Sequence, residues 1–329
     1  MTTSKKTSPS KKASKSRRAT KSRQAAMTAA NAEVPSRRQC GTMSAHFRLL
    51  EAVPSFRTRQ ASLERAVTRR MASPGMARAV GPTIIPVVVH VVYNLPAENV
   101  SMAQIKSQIK VLNRDFRATN PDKSQVPTVW KGLVADARIE FVLAKLDPEG
   151  NPTNGVTRTK TDRTSFGTND SVKFTGSGGK DAWPTSRYLN MWVCKLGGGV
   201  LGYAQFPGGP SETDGVVITH TGFGTVGTAA APFHLGRTAT HEIGHWLNLR
   251  HIWGDTEDCS GTDHVADTPN AAGPNQGSPT FPSISCSNGP NGDMFMNYMD
   301  YSDDPALVMF TSQQVVRMTA VLENERNTF

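Results

Sequence analysis

Thr238-Ala239-Thr240-His241-Glu242-Ile243-Gly244-His245-Trp246-Leu247-Asn248-Leu249-Arg250-His251-Ile252-Trp253 sets two histidines four residues apart and a third six residues later. Residues i and i+4 of a helix project from one face, so His241 and His245 can offer two imidazoles to a single point. Zinc takes N, S or O ligands at about 2.0–2.3 Å in a near-tetrahedral array, and keeps one position open where it is catalytic. Glu242 points slightly aside, where its carboxylate can act as general base toward a water that the metal has acidified to a pKa near 7. A straight helix could not deliver His251, because six residues advance about 9 Å along the axis and swing round to another side. The chain must therefore leave the helix and turn back. Asn248 is placed to do this, since Asn tolerates the left-handed region best after Gly.

The other histidines, His46, His90, His220, His234 and His264, carry no comparable spacing and read as ordinary core or surface residues. Gly222-Phe223-Gly224-Thr225-Val226-Gly227 fits GxGxxG after a strand, but the helix that follows is the histidine helix. No βαβ dinucleotide unit can form there, and the segment reads as a flexible loop.

Working outward, the β-branched run 83–93 reads as a buried strand. Ser101 can cap a helix over 102–117, on which Ile105, Ile109, Val111, Leu112 and Phe116 trace an apolar stripe. Residues 138–146, 188–196 and 214–220 read as further strands. Gly197-Gly198-Gly199 leads into Gly202-Tyr203-Ala204-Gln205-Phe206, a candidate edge strand. The histidine helix should run from about Arg237 to Leu247. A long stretch rich in Gly, Pro, Asn and Asp follows, until a C-terminal helix begins at Thr311. The expected fold is therefore mixed α/β (α+β), with strand and helix alternation early, irregular structure late and an open cleft.

The 329 residues suffice for a sizeable core, and no stretch approaches the roughly 20 apolar residues of a membrane span, so no membrane partner is expected. The formal charge of +10 is not spread evenly. Residues 1–80 hold 18 Lys and Arg against 3 Asp and Glu, while the remaining 249 hold 19 against 24. The basic residues 1–35 read as a disordered, solvated tail without interleaved aromatics, so no specific nucleic-acid partner is expected. The basic start is not followed by an apolar segment of the kind a secretory leader carries. Residues 36–81 form a second region, with a helical stretch from Met43 to Val67, and residues 82–329 form the folded domain. Arg69-Arg70 and Arg78 make the intermediate region a target for proteases. The four cysteines, Cys40, Cys194, Cys259 and Cys286, have no CxxC spacing and fix no compartment alone, and nothing speaks to oligomeric state.

His241-Glu242-Ile243-Gly244-His245-Trp246-Leu247-Asn248-Leu249-Arg250-His251 resembles the long zinc signature of the metzincins, departing at Asn248 where that clan usually has Gly. Met296-Asn297-Tyr298-Met299-Asp300-Tyr301 looks like the Met-turn of the pappalysin family, in its ulilysin-like branch. Trp192-Val193-Cys194, Gly202 through Pro207, Asp267-Thr268-Pro269 and Met309-Phe310-Thr311 extend the likeness over most of 83–320. The resemblance implies a metzincin-like fold: a twisted mixed sheet and active-site helix in an N-terminal subdomain, then an irregular C-terminal subdomain with Met-turn and C-terminal helix. It implies a secreted zinc metalloendopeptidase acting on proteins or peptides.

Residue by residue, the resemblance makes Met299 the floor under the zinc and turns the Tyr301 hydroxyl toward the tetrahedral intermediate. Gly202–Phe206 becomes the edge strand that pairs with an extended substrate. Arg37-Arg38-Gln39-Cys40-Gly41-Thr42 resembles a latency segment, in which the Cys40 thiolate would take the open metal position. Cys259 and Cys286 match a family disulfide, and Asp263, Asp267 and Thr268 match a loop that binds calcium in some relatives. A second family bridge has no counterpart at Asp303-Asp304-Pro305-Ala306-Leu307. Pro305 also stands where an acidic residue favours basic side chains after the scissile bond, which speaks against an arginine preference. Two other classes compete. A thermolysin-like peptidase would draw its third ligand from a distant Glu, making His251 superfluous; a non-catalytic zinc module would have no use for Glu242.

Overall fold

The computed structural model describes residues 1–2, 34–72 and 81–329. It divides into two units, Met1–Val34 and Pro35–Phe329, and the expected basic tail and Arg78 lie almost wholly outside the described residues. In the second unit the helices are α1 (Thr42–Ala52), α2 (Pro54–Ala72), α3 (Met102–Phe116), α4 (Arg237–Trp246) and α5 (Ser312–Glu323). The strands are β1 (Thr83–Tyr93), β2 (Ile139–Leu143), β3 (Val156–Lys160), β4 (Leu189–Cys194), β5 (Gly202–Ala204) and β6 (Val216–Thr219).

β1 is the axis of the sheet. Its run from Val87 to Val92 is buried, as befits a strand paired on both edges and covered on both faces. It pairs in parallel with β4 on one side, and on the other with β2 along its first half and β3 along its second. β4 pairs in parallel with β6, and β5 closes the sheet antiparallel as the edge. β3 was not expected, because Val-Thr-Arg-Thr-Lys carries little apolar signal and is nowhere fully buried. β1 spans the expected 83–93, whereas β2, β4, β5 and β6 are shorter than the stretches that announced them.

Ser101 does cap α3, its Oγ accepting from the Gln104 N–H at 3.2 Å. Ile105, Leu112 and Phe116 join the sheet in the main core. The expected single helix from Met43 to Val67 is two helices. Pro54 lacks an N–H and crowds the residue before it, and Val53 is extended at φ −125°. Arg70 is buried within α2 and paired with Glu323, so Arg69-Arg70 is not the open dibasic segment its sequence suggests. At the far end, Thr311 and Gln314 form a capping box for α5.

Candidate metal centre

α4 is held at its start from three sides. Arg237 pairs with Asp115 at the end of α3 and with Asp122, and donates to the Tyr298 hydroxyl at 2.7 Å. Thr240 donates to Asp115 Oδ2 at 2.7 Å, one turn along. The helix stops at Trp246, and Asn248 adopts φ 69°, the left-handed turn its residue type predicts. That corner brings His251 back to its two partners. The Nε2 atoms of His241, His245 and His251 lie 3.1–3.3 Å apart. Ligation at 2.0–2.1 Å in a tetrahedral array would space them about 3.3 Å apart.

The outer ring nitrogens settle what faces inward. His241 Nδ1 donates to the Tyr298 carbonyl and His245 Nδ1 to the Leu249 carbonyl, both at 2.7 Å. His251 Nδ1 donates to Asp255 at 2.5 Å, and its ring stacks on Trp253 with centroids 4.4 Å apart. Carbonyl and carboxylate oxygens accept from these outer nitrogens, so each ring directs its Nε2 toward the common point. Three lone pairs in mutual contact repel unless a cation lies between them. Burial, aided by the neighbouring rings, holds His241 and His245 well below the usual histidine range, which keeps those lone pairs free. Cys40 Sγ completes a four-donor group whose ligand atoms all lie within 4.8 Å of one another. Three nitrogens and one sulfur at this spacing fit zinc.

Two glycines let the surrounding parts close in. A Cβ on Gly244 would sit 2.4 Å from Met299 Sδ, so the Met-turn packs directly against the histidine helix. A Cβ on Gly202 would meet the Glu242 side chain at 2.8 Å, which places β5 against the candidate base. Glu242 Oε2 accepts from the Thr42 hydroxyl at 2.8 Å and the Cys40 thiol at 3.4 Å. Burial pushes its carboxyl up to about 7, against the pull of those two bonds. The Tyr301 hydroxyl accepts from the Cys40 N–H at 3.3 Å and packs edge-on to His251.

Residues 39–42 occupy the outer edge of β5. Leu201 donates to the Gln39 carbonyl at 2.9 Å, Gly41 donates to the Gly202 carbonyl at 2.8 Å, and Cys40 bridges Gly202 in parallel. The Ala204 N–H is taken by the Thr42 hydroxyl at 2.8 Å. Of the expected edge strand, Gly202–Ala204 is regular, while Gln205 and Phe206 continue beyond it with Phe206 over His245. Beside the metal point, Arg38 fills a closed pocket. It pairs with Asp304 at 2.6 Å, donates to the Ser302 carbonyl and the Thr238 hydroxyl, and lies over the Phe233 ring.

The family profile described as pregnancy-associated plasma protein-A matches residues 176–323. Mature mirolysin of Tannerella forsythia, solved in complex with a cleaved peptide, is 52% identical with a TM-score of 0.74, over 76% of this chain and 96% of that one. A promirolysin mutant from the same organism is 47% identical with a TM-score of 0.80, over 88% of this chain and 95% of that one. The chain belongs to the pappalysin family of metzincin zinc metalloproteases. Extracellular metalloprotease 1 of Coccidioides posadasii is 40% identical over 140 residues, and an extracellular metalloprotease of Pyricularia oryzae 39% over 149. Those stretches cover 40% and 43% of this pappalysin and 49% and 50% of the relatives, so the match spans about half the length of the curated proteins.

In this pappalysin Cys259 and Cys286 are bonded, 27 residues apart, and Cys194 is a buried thiol. Asp263 accepts from Thr268 and from the Val265 N–H, and Asp267 accepts from Thr311 and the Gln313 N–H. Of the three residues expected to hold calcium, Asp263 and Thr268 are thus engaged within their own loop, and Asp267 ties that loop to the start of α5. One residue before Pro305, Asp304 supplies the carboxylate that pairs with Arg38. Sequence reasoning also missed Asp255 and Asp115, whose carboxylates orient His251 and α4. Asp255 lies four residues after His251, and that short spacing could have found it. Asp115 and Asp304 carry no local signal.

Proposed function

We propose that this chain is the precursor of a zinc-dependent metalloendopeptidase that acts outside the cell on peptides and proteins. The observation that carries the reading is the inward convergence of three histidine lone pairs with Glu242 beside them. When bound, zinc supplies a Lewis acid that polarises the scissile carbonyl and acidifies water. His241, His245 and His251 would hold it, and Met299 forms the floor beneath. Glu242 would take the proton of the attacking water and pass it to the leaving amine. Tyr301, whose hydroxyl already bonds a peptide group at Cys40, would donate to the carbonyl oxygen as it becomes tetrahedral. The outer edge of Gly202–Phe206 would hold the substrate as an added strand.

Residues 36–81 would be the precursor segment and 82–329 the catalytic part, with Cys40 supplying a thiolate in place of the water. The pocket around Asp304 would take an Arg or Lys side chain next to the scissile bond, because Arg38 fills it with its charge paired and its donors satisfied. Extracellular action accords with the disulfide, which persists in oxidising compartments, and with the names of the fungal relatives. Zinc is the one metal in this proposal.

The test is cleavage of a mixed peptide library by the full chain, before and after limited trypsin treatment, with and without a zinc chelator. Cleavage should appear only after trimming, disappear with chelator, and fall by roughly 10²–10⁴-fold in the Glu242→Gln variant. Chelator-insensitive cleavage, or parental activity in Glu242→Gln, would contradict the proposal.

A further inference from the structure

α2 supplies none of the four candidate metal donors and none of the groups bonded to Arg38, yet it is seated as firmly as a core element. Phe56 is fully buried against Phe206 and α1, and Leu63 and Val67 are 2% and 1% exposed within the main core. Along the same helix, Arg59 and Gln60 donate to the carbonyls of Gly208 and Pro207, and Arg70 pairs with Glu323 of α5 at 3.0 Å.

The polar centre of this seat is Glu64. Arg317 of α5, 1% exposed, gives it two bonds, Nη2 to Oε1 at 2.8 Å and Nη1 to Oε2 at 3.2 Å. Asn248, also 1% exposed, adds its side-chain N–H to Oε1 at 3.0 Å. This is fork-to-fork recognition of a carboxylate by a pre-positioned guanidinium. Arg317 is fixed from behind, where its Nε and Nη2 donate to the Asn248 carbonyl at 3.3 and 3.2 Å. Among the described residues Glu64 is its one ion-pair partner. Asp263, within electrostatic reach, is committed to Thr268 and Val265. Removing the helix would leave the Arg317 guanidinium without its carboxylate partner and the Asn248 amide without its acceptor, beside an apolar hollow shaped for Leu63 and Val67.

We infer that the catalytic body carries a second binding site, separate from the metal centre, for a carboxylate borne on an amphipathic helix, and that the Pro54–Ala72 helix remains its occupant after the chain is cut behind it. The inference rests on the reading of residues 36–81 as a precursor segment. A single cut between α2 and β1 then does not free the enzyme; the helix must also dissociate or be cut further.

The experiment uses the full chain with a site-specific protease sequence in place of residues 73–80 and with Cys40→Ala, so that metal ligation cannot hold the fragment. After cleavage, gel filtration at falling concentration reads how long the fragment stays on the body. It should co-elute at micromolar concentration, and Glu64→Gln should raise the concentration at which it falls away by roughly tenfold or more, while the exposed control Glu51→Gln changes nothing. A synthetic peptide of residues 54–72 should displace the fragment, and its Glu64→Gln form should need at least tenfold more. Immediate separation of the parent fragment, or equal retention of the parent and Glu64→Gln, would overturn the inference. Co-elution with activity indifferent to the fragment, assayed in the Cys40-containing chain, would instead sink the precursor reading and leave the site standing.

Discussion

Asp304 divides its carboxylate between two neighbours. Oδ2 accepts from the N–H groups of Leu235 and Arg237 at 2.7 and 3.3 Å, fixing the entry to α4, while Oδ1 faces Arg38. Asp304→Asn keeps an oxygen for the backbone and removes the charge. The trimmed variant should fold, and its preference for Arg over a neutral side chain of similar length should fall by roughly 10²-fold, the scale of breaking a buried ion pair. Values of kcat/KM on paired peptides check this; an unchanged preference would show that Asp304 does not read the substrate. At this scale the sequence reveals chemistry only where it is local. His241, Glu242, His245 and His251 stand within eleven residues and announce themselves, whereas Arg38 and Asp304 are 266 apart and meet only through the fold.

Among the elements, the turn after α4 controls the site. Asn248 bonds Glu64 with its side chain and Arg317 with its carbonyl, and its left-handed backbone is what returns His251 to the metal point. Asn248→Val forces a β-branched residue into that region and should cost about 1–3 kcal/mol. Asn248→Gly should cost less, because glycine accepts the angle. Urea unfolding together with zinc retention separates the two; equal losses would mean that the side chain, not the turn, is what counts. α3 was readable from its cap and apolar stripe and β1 from its β-branched run, because packing and propensity agree there, while α4 was readable from its histidine spacing. β3 was not, because its pairing with β1 relies on backbone bonds rather than apolar side chains. The break at Val53 was overlooked although Pro54 announces it.

For the whole molecule, the charge asymmetry between residues 1–80 and the rest divides the chain visibly in sequence, but the contacts joining the two parts are long-range and silent. His46 is one of them. It packs against Phe206 and Phe56, and burial, with Arg250 nearby, pushes its pKa down to about 4. A depressed histidine stabilises the fold fully above its ordinary pKa of about 6.5, and that stability is lost as pH falls toward 4. The segment carrying α1 and α2 should therefore loosen over this window, and His46→Leu should flatten that part of the thermal-stability profile; an identical profile in the variant would rule His46 out as the cause.

On the proposed reading one zinc sits among three imidazoles and, before trimming, the Cys40 sulfur. Zinc-edge X-ray absorption on the full-length chain tests it directly. The expected spectrum shows three nitrogen neighbours at about 2.0–2.1 Å and one sulfur at about 2.3 Å, with the sulfur replaced by oxygen after trimming or in Cys40→Ala. A spectrum without sulfur in the intact chain, or one unchanged by Cys40→Ala, would contradict it.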